Sequence, residues 1–443
     1  MGFQQGLSGL KSSSSALDVV GNNVSNSGTI GFKAARAEFA DVYAASLAGA
    51  GASQVGIGNR VSNVAQQFTQ GNVTSTSNAL DVAINGNGMF VMADSSGTQT
   101  YTRNGQFQLD KNGYLINADG LNVQGYAADY TSDAQGTIST TTATNIYVDP
   151  SGIQPQASTT AALNVNLDSR EKVPAHATFS TTDPLSYNKS TSIPIYDSLG
   201  NPHTLSMYFL YTNTTSEAYT DPSTGAATSG TVSNWTVHYA VDGNTACVSG
   251  AGEGATLNFD TSGRLVEYNH SGSLTTQPTL TIDLAAIDPN NKALTPQVIT
   301  GIDYGSSTQF GATFGVNSES QNGFASGRLT KISIGADGLI QGNYSNGQTR
   351  NMAQIVIARF TNPNGLINLG GNQWQQTFAS GPALLGVPGS SSNGVLQGSA
   401  LEESTVDLTK ELVDMITYQR AYQANAQTIK TQDSLLQTIT NLR

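Results

Sequence analysis

Apolar residues recur every seven positions at both ends of this chain, and between the ends the period changes to two. At the N-terminus Phe3, Leu10, Leu17 and Val24 fall on one line of a helix. Near the C-terminus Leu401, Leu408, Met415, Tyr422, Ile429 and Leu436 form a longer line. A flanking line carries Leu412 and Ala426 but also Gln419 and Asp433, so it is half apolar. Ser399 followed by Glu402 reads as a capping box, with Gly398 just before it. Neither Pro nor Gly interrupts the chain from Ser399 to Arg443, so this helix is expected to run roughly 60 Å. Gly6, Gly9 and Gly21 weaken the N-terminal helix, which is marginal alone. Two amphipathic ends so far apart in sequence are expected to meet in space, with the rest of the chain as a long insertion.

The insertion reads as β structure. Ala79–Ile84, Leu205–Leu210 and Trp235–Tyr239 alternate as strands do. Asn85-Gly86, Asn112-Gly113, Asp119-Gly120, Asp242-Gly243, Asp337-Gly338 and Asn346-Gly347 mark turns. Many short strands with closely spaced turns predict antiparallel sandwiches or barrels, not a parallel sheet with crossover helices. Ser/Thr-rich stretches at Thr131–Thr144 and Thr214–Gly230 are expected to lack a packed core.

Composition narrows the function. Of 443 residues only 11% are charged, with 19 Lys+Arg against 31 Asp+Glu and a formal net charge of −12. Scattered basic residues on a negative chain exclude nucleic acid as a partner, because neutralising phosphates takes clustered Lys and Arg. Membrane insertion is not expected either: runs such as Ile355–Ala358 fall far short of the ~20 apolar residues of a spanning helix. The first ten residues have neither the basic region nor the apolar run of a secretory signal. The chain is therefore expected to stay in the cytoplasm or to leave by a route that removes no signal. One cysteine, Cys247, can form neither an internal disulfide nor a multi-thiolate metal site.

No constellation of residues marks a catalytic, metal or cofactor site. His176, His203, His238 and His270 lack metal-ligand spacing, and no G-x-S-x-G elbow occurs. Gly86-Asn87-Gly88 has Val91 where a dinucleotide loop needs its third glycine, so it reads as a hairpin turn. Asp110-Lys111-Asn112-Gly113 opens like a calcium loop but lacks its later Gly and Glu. Nothing marks a pair of carboxylates for glycoside hydrolysis. The informative feature is the apolar seam itself. A helix of some forty residues with a shorter partner leaves part of its stripe wet in a monomer or buried by identical neighbours; the alternative is that both helices pack on the β body as an ordinary α+β domain. Head-to-tail contacts that do not close make helical filaments.

Several motifs carry a family resemblance. The run Leu17–Lys33, with Gly21-Asn22-Asn23 and Gly31-Phe32-Lys33 in it, resembles the N-terminal signature of the bacterial flagellar rod and hook axial proteins. Asp81–Phe90 and Tyr101–Phe107 are similar to the family's first β motifs. Val406–Ile416, Gln419–Asp433, Tyr196–Pro202 and Gly342–Gly347 resemble the hook proteins in particular, whose length also suits this chain. The Ser/Thr-rich middle, roughly Thr131 to Thr300, departs most.

The resemblance implies a mainly β fold with α-helical termini: paired N- and C-terminal helices as an axial core, disordered before assembly, plus two nested antiparallel β-rich domains. It divides the chain into a terminal core (1–29 and 402–443), a connecting region (30–70 and 394–401), an inner β domain (71–145 and 320–393) and an outer one (146–319). It implies a non-enzymatic, self-assembling subunit of the flagellar hook, the curved extracellular tube that joins rod to filament as a universal joint in swimming and swarming motility. Its implied partners are further copies of itself, the rod, hook cap and hook–filament junction proteins, and the flagellar type III export apparatus, which removes no signal peptide. Phe39 and Tyr43 look like the family's short export-gate motif; a pair packed at helical i,i+4 spacing is the alternative. Two other functions stay open at this point. A distal rod subunit would make straight, rigid polymers, and a secreted β-rich glycan-binding or hydrolytic protein would need an aromatic cleft with convergent carboxylates.

Overall fold

The structure is a computed structural model that describes residues 2–42, 56–131, 135–250, 254–269, 271, 274, 277–287, 292–293 and 296–441. Its chain forms two compact units, the first from Met1–Pro150, Thr330–Asn343 and Thr349–Arg443, the second from Ser151–Leu329 and Tyr344–Gln348.

The first unit begins with helix α1 (Gly2–Ser25), 24 residues and so about 36 Å long. Strands β1 (Ala35–Val42) and β2 (Gly58–Gln66) then pair antiparallel, from Ala35 opposite Gln66 to Val42 opposite Gly58. Asn23 fastens the end of α1 to β1, its side chain donating to Ala35 O (2.8 Å) and accepting from Ala35 N (2.9 Å). Next come β3 (Val73–Ser75), β4 (Val82–Asn85), β5 (Met89–Ala93) and β6 (Gln99–Thr102). β5 is wholly buried and pairs with β6, with Asn122–Asp129 and with Ile357–Arg359. Its core holds Met89, Val91, Tyr101, Val356, Phe360 and Trp374, with the Tyr101 and Phe360 rings edge to face at 4.7 Å. Gly86-Asn87-Gly88 is a corner and not the expected hairpin: β4 pairs with Val395–Gly398, while β5 joins the larger sheet.

Helix α2 (Leu408–Asn441) closes the unit. The expected capping box at Ser399 and Glu402 is not built. Ser399 takes a left-handed φ of 53°, and Ala400–Glu402 is a strand on β3. The cap is Asp407, whose carboxylate accepts from the backbone N–H of Thr409 (2.9 Å) and Lys410 (3.1 Å). The sequence pattern missed this because the heptad line runs through Leu401, which is apolar for a different reason: it is buried in the strand. α2 therefore has 34 residues and extends about 51 Å.

The second unit is built on a sheet ordered Lys189–Tyr196, Pro202–Thr220, Ala227–Val241, Ala255–Phe259, Leu265–Tyr268, all antiparallel. Its core gathers Met207, Phe209, Trp235, Tyr239, Leu257 and Tyr304. A second sheet surrounds Thr160–Asp168. Here the antiparallel expectation needs correction, because this strand pairs in parallel with Gly301–Asp303 and Thr308–Phe310. The Ser/Thr-rich stretch Thr214–Gly230 is the far part of the longest hairpin, paired from Thr214 opposite Ser233 to Thr220 opposite Ala227. None of its side chains is fully buried, as expected, yet backbone pairing still orders it.

Candidate assembly surface

α1 and α2 lie side by side and run in opposite directions. Gly6 faces Ile429 and Gly9 faces Asn425, while toward the other end Ala16 and Val20 share a cleft with Lys410, Asp414 and Tyr418. The inward face of α1 carries small residues: Gly6, Ser13, Ala16 and Val20 are all buried. A Cβ added at Gly9 would stand 2.6 Å from Asn425 Oδ1, and one at Gly6 would stand 3.0 Å from Ile429 Cγ1. Two of the three glycines that lower helix propensity, Gly6 and Gly9, thus let the helices approach closely, whereas a Cβ at Gly21 would meet nothing within 4 Å. Ser13 turns its hydroxyl back to Gly9 O at 2.8 Å, which satisfies it inside the contact.

The heptad residues divide between this contact and the open surface. Met415 and Ile429 are half-buried on the stripe facing α1, and Leu10, Leu17 and Val24 are half-buried on α1. Phe3 is 46% exposed, and Leu408, Leu412, Tyr422 and Leu436 are exposed, together with Val413 and Ile416. The pairing also leaves an overhang. With Gly6 level with Ile429, α1 ends near residue 433, so α2 continues past it for about 12 Å. Leu435 and Leu436 sit on that overhang, 52% and 57% exposed. Each of these half-exposed leucines that a neighbour buries contributes about 1 kcal/mol.

Where α2 leaves the β body, three charges that sequence reading missed meet out of contact with water. Lys33 Nζ lies 2.6 Å from Glu402 Oε1, and Arg103 Nη1 lies 3.0 Å from Glu402 Oε2. The remaining polar atoms are used too. Lys33 donates to Thr69 O (2.6 Å), Gly71 N donates to Glu402 Oε1 (2.8 Å), and Arg103 Nη2 donates to Gly86 O (2.8 Å). Gly31 N donates to Glu402 O (2.8 Å), and Thr405 Oγ1 accepts from Ala34 N (2.9 Å). Burial pulls the Lys33 ammonium below its ordinary range, against the opposing pull of Glu402, and it acts on Arg103 in the same way. The cluster ties the segment after α1, the first β motif and the segment before α2 into one clasp. One signal could have found it. From Phe360 through Leu401 there is no charged residue, so Glu402 breaks an uncharged run where a solvated cap is the weaker explanation.

Phe39 stands exposed on β1, a strand and not a helix, so the i,i+4 helical alternative does not hold for it. Tyr43 lies outside the described residues. A groove of 490 Å³ lies between α1, β2 and residues 364–368, and among the described residues that line it Asp18 is the one ionisable side chain. Cys247 is buried, and its thiol donates to Asn244 O at 3.0 Å.

Comparison with known proteins agrees with this architecture along nearly the whole chain. Family models match at residues 3–33 (flagella basal body rod protein), 83–154 (flagellar hook protein FlgE/F/G D1 domain), 166–324 (flagellar basal body protein FlaE D2 domain) and 397–442 (flagellar basal body rod FlgEFG protein C-terminal). The flagellar hook protein FlgE of Escherichia coli K12 is 39% identical over 445 residues, and that of Salmonella typhimurium LT2 40% over 447, each covering 100% of both chains. The FlgE of Treponema pallidum is 32% identical, covering 99% of this chain and 98% of its own. The crystal structure of Helicobacter pylori flagellar hook protein FlgE2 shares the fold, with a TM-score of 0.52 at 15% identity, over 74% of this chain and 100% of that one.

Proposed function

The chain belongs to the flagellar rod and hook protein family and is a structural subunit of the flagellar hook, and on that premise we propose how it assembles. Copies interlock through the exposed faces of α1 and α2, which form the innermost layer of the tube, and the β units lie outside them. The observation that carries this reading is the row of exposed apolar side chains along α2, Leu408, Leu412, Val413, Ile416 and Tyr422, with Phe3 on α1. The nested layout of terminal core, connecting region, inner and outer β domains belongs to the same reading. Its support is that the second compact unit interrupts the chain of the first.

Torque then passes through the helices, held to the β body by the Lys33–Glu402–Arg103 clasp. Bending requires outer surfaces to slide as the tube turns. A surface poor in charge favours this, since its polar contacts exchange with water at little cost, whereas breaking a buried ion pair costs several kcal/mol. The finer partners are the rod, the hook cap, the hook–filament junction proteins and the type III export apparatus. In the export step Phe39 and Tyr43 are read at the gate and no signal peptide is cleaved. The exposure of Phe39 on β1 supports that role, and the place of residues 2–25 in the helix pair argues against their removal.

Electron microscopy of the purified chain under polymerising conditions tests the reading. Curved tubes are expected; straight tubes would favour a rod subunit, and persistent monomers would overturn self-assembly.

A further inference from the structure

A pocket of 230 Å³ in the first unit opens where β5 begins, and two arginines line it, Arg103 and Arg359, together with Phe68, Asn87, Met89 and Phe360. Among the described residues that line it there is no carboxylate. Arg359 ends the strand Ile357–Arg359, which pairs with β5. Its Nε is shut off from water, yet among the described residues that atom has no hydrogen-bond partner, and no carboxylate pairs with the guanidinium. A buried donor left unmade is costly, so a guanidinium held in this way points to a partner from outside the chain. Arg103 donates to Glu402 Oε2 (3.0 Å), Ile84 O (3.4 Å) and Gly86 O (2.8 Å), which leaves N–H groups of its guanidinium to spare.

Charge and shape identify the partner. In the clasp Lys33 and Arg103 oppose Glu402 alone, which leaves one positive charge in excess, and Arg359 adds a second beside it. In a chain of net charge −12 this is a local reversal of sign, and it calls for an anion. The planar guanidinium matches a carboxylate, which it can receive through two parallel hydrogen bonds. The rings of Phe68 and Phe360 and the side chain of Met89 face the rest of the space, so the body attached to that carboxylate is apolar. A phosphate carries anionic oxygens on every side, and walls of this kind would strip water from them without replacing it. The volume lies below the roughly 300–1,000 Å³ of drug-sized sites, so the ligand is small.

We propose that this pocket binds a small monocarboxylate with a short apolar stem, its carboxylate received by Arg359 and Arg103 and its stem lying among Phe68, Met89 and Phe360. The site is complete within one copy of the chain and does not depend on self-assembly. A bound ligand would also join the strand that carries Arg359 to the clasp residue Arg103, and so stabilise the first unit.

The test uses the full, unassembled chain carrying Trp235→Phe, in which Trp374 is the one remaining tryptophan. Trp374 meets the Phe68 ring edge to face at 5.6 Å, so its fluorescence follows the unfolding of the unit that holds the pocket. Butyrate, inorganic phosphate and chloride are compared as sodium salts at equal ionic strength. With a Kd of about 5 mM, as suits so small a ligand, 50 mM butyrate should raise the urea midpoint by about 0.7 M relative to chloride. Phosphate should give a smaller shift, and titration calorimetry should find one butyrate per chain. Arg359→Met keeps the stem of the side chain and removes its donors. Its midpoint in chloride shows that it folds, and its butyrate shift should vanish, while Arg359→Lys should keep part of it. No butyrate shift in the parent, an equal shift in Arg359→Met, or a phosphate shift as large as that of butyrate would overturn the proposal.

Discussion

Replacing Glu402 with Gln keeps the side chain's shape and removes the only anion in the buried clasp. Lys33 and Arg103 then lose their common partner, at contacts of 2.6 and 3.0 Å, where no solvent can take its place. Breaking a buried pair by removing one partner costs about 3–5 kcal/mol, chiefly because an uncompensated charge stays behind. Here two are left. Lys33 can shed its proton, helped by the burial that already lowers its pKa, whereas the Arg103 guanidinium cannot. We expect a loss of about 4 kcal/mol, a large share of the 5–15 kcal/mol typical of a folded domain. At a urea dependence of about 2 kcal/mol per molar, the midpoint falls by about 2 M. The chain has two tryptophans, Trp374 in the core of the first unit and Trp235 in that of the second, so fluorescence in a Trp235→Phe background reads the clasp's own unit. Lys33→Met should cost less, because Glu402 keeps Arg103. Raising the pH toward 10 should restore part of the loss in Glu402→Gln by neutralising Lys33. A midpoint shift below about 0.5 M in Glu402→Gln would refute the reasoning, as would an equal shift in the Trp235 transition.

Other perturbations separate the remaining parts. Leu408→Asp combined with Ile429→Asp should abolish polymerisation and motility while both tryptophans stay buried in folded β units; normal hooks in that variant would sink the seam assignment. Gly9→Leu should drive α1 off α2, because its Cβ alone reaches 2.6 Å from Asn425 Oδ1, and limited proteolysis should then remove the first 25 residues much faster. Burial raises the pKa of Tyr239, Tyr268 and Tyr304 in the second unit. Their contribution to stability is therefore complete below the ordinary tyrosine value of about 10 and is lost as pH rises beyond it, because the unfolded chain ionises first. The Trp235 transition should weaken above pH 10, and Tyr239→Phe with Tyr304→Phe should push that weakening to higher pH; no change would count against these buried phenols.

Much of the architecture was legible because it depends on local periodicity. The heptad spacing of Phe3, Leu10, Leu17 and Val24 placed α1 correctly, and alternation placed the strands around Leu205–Leu210 and Trp235–Tyr239. Local patterns failed where one residue type serves two environments. Leu401 and Glu402 continued a helical pattern but belong to a strand that β3 completes from more than three hundred residues away. The parallel pairing of Thr160–Asp168 escaped for the same reason, since its partners lie some 140 residues downstream.

By itself the sequence determined that helices stand at both ends, that a β body lies between them, and that the motifs are those of an axial flagellar family. Those properties need only the spacing of apolar residues and short runs of identity. Tertiary structure decided which faces meet. It turned Gly6 and Gly9 from weak points into the contact with α2, and it converted three scattered charges into one buried clasp. The reason is physical: close approach and desolvation depend on distances between segments remote in the chain, and no local pattern encodes those distances.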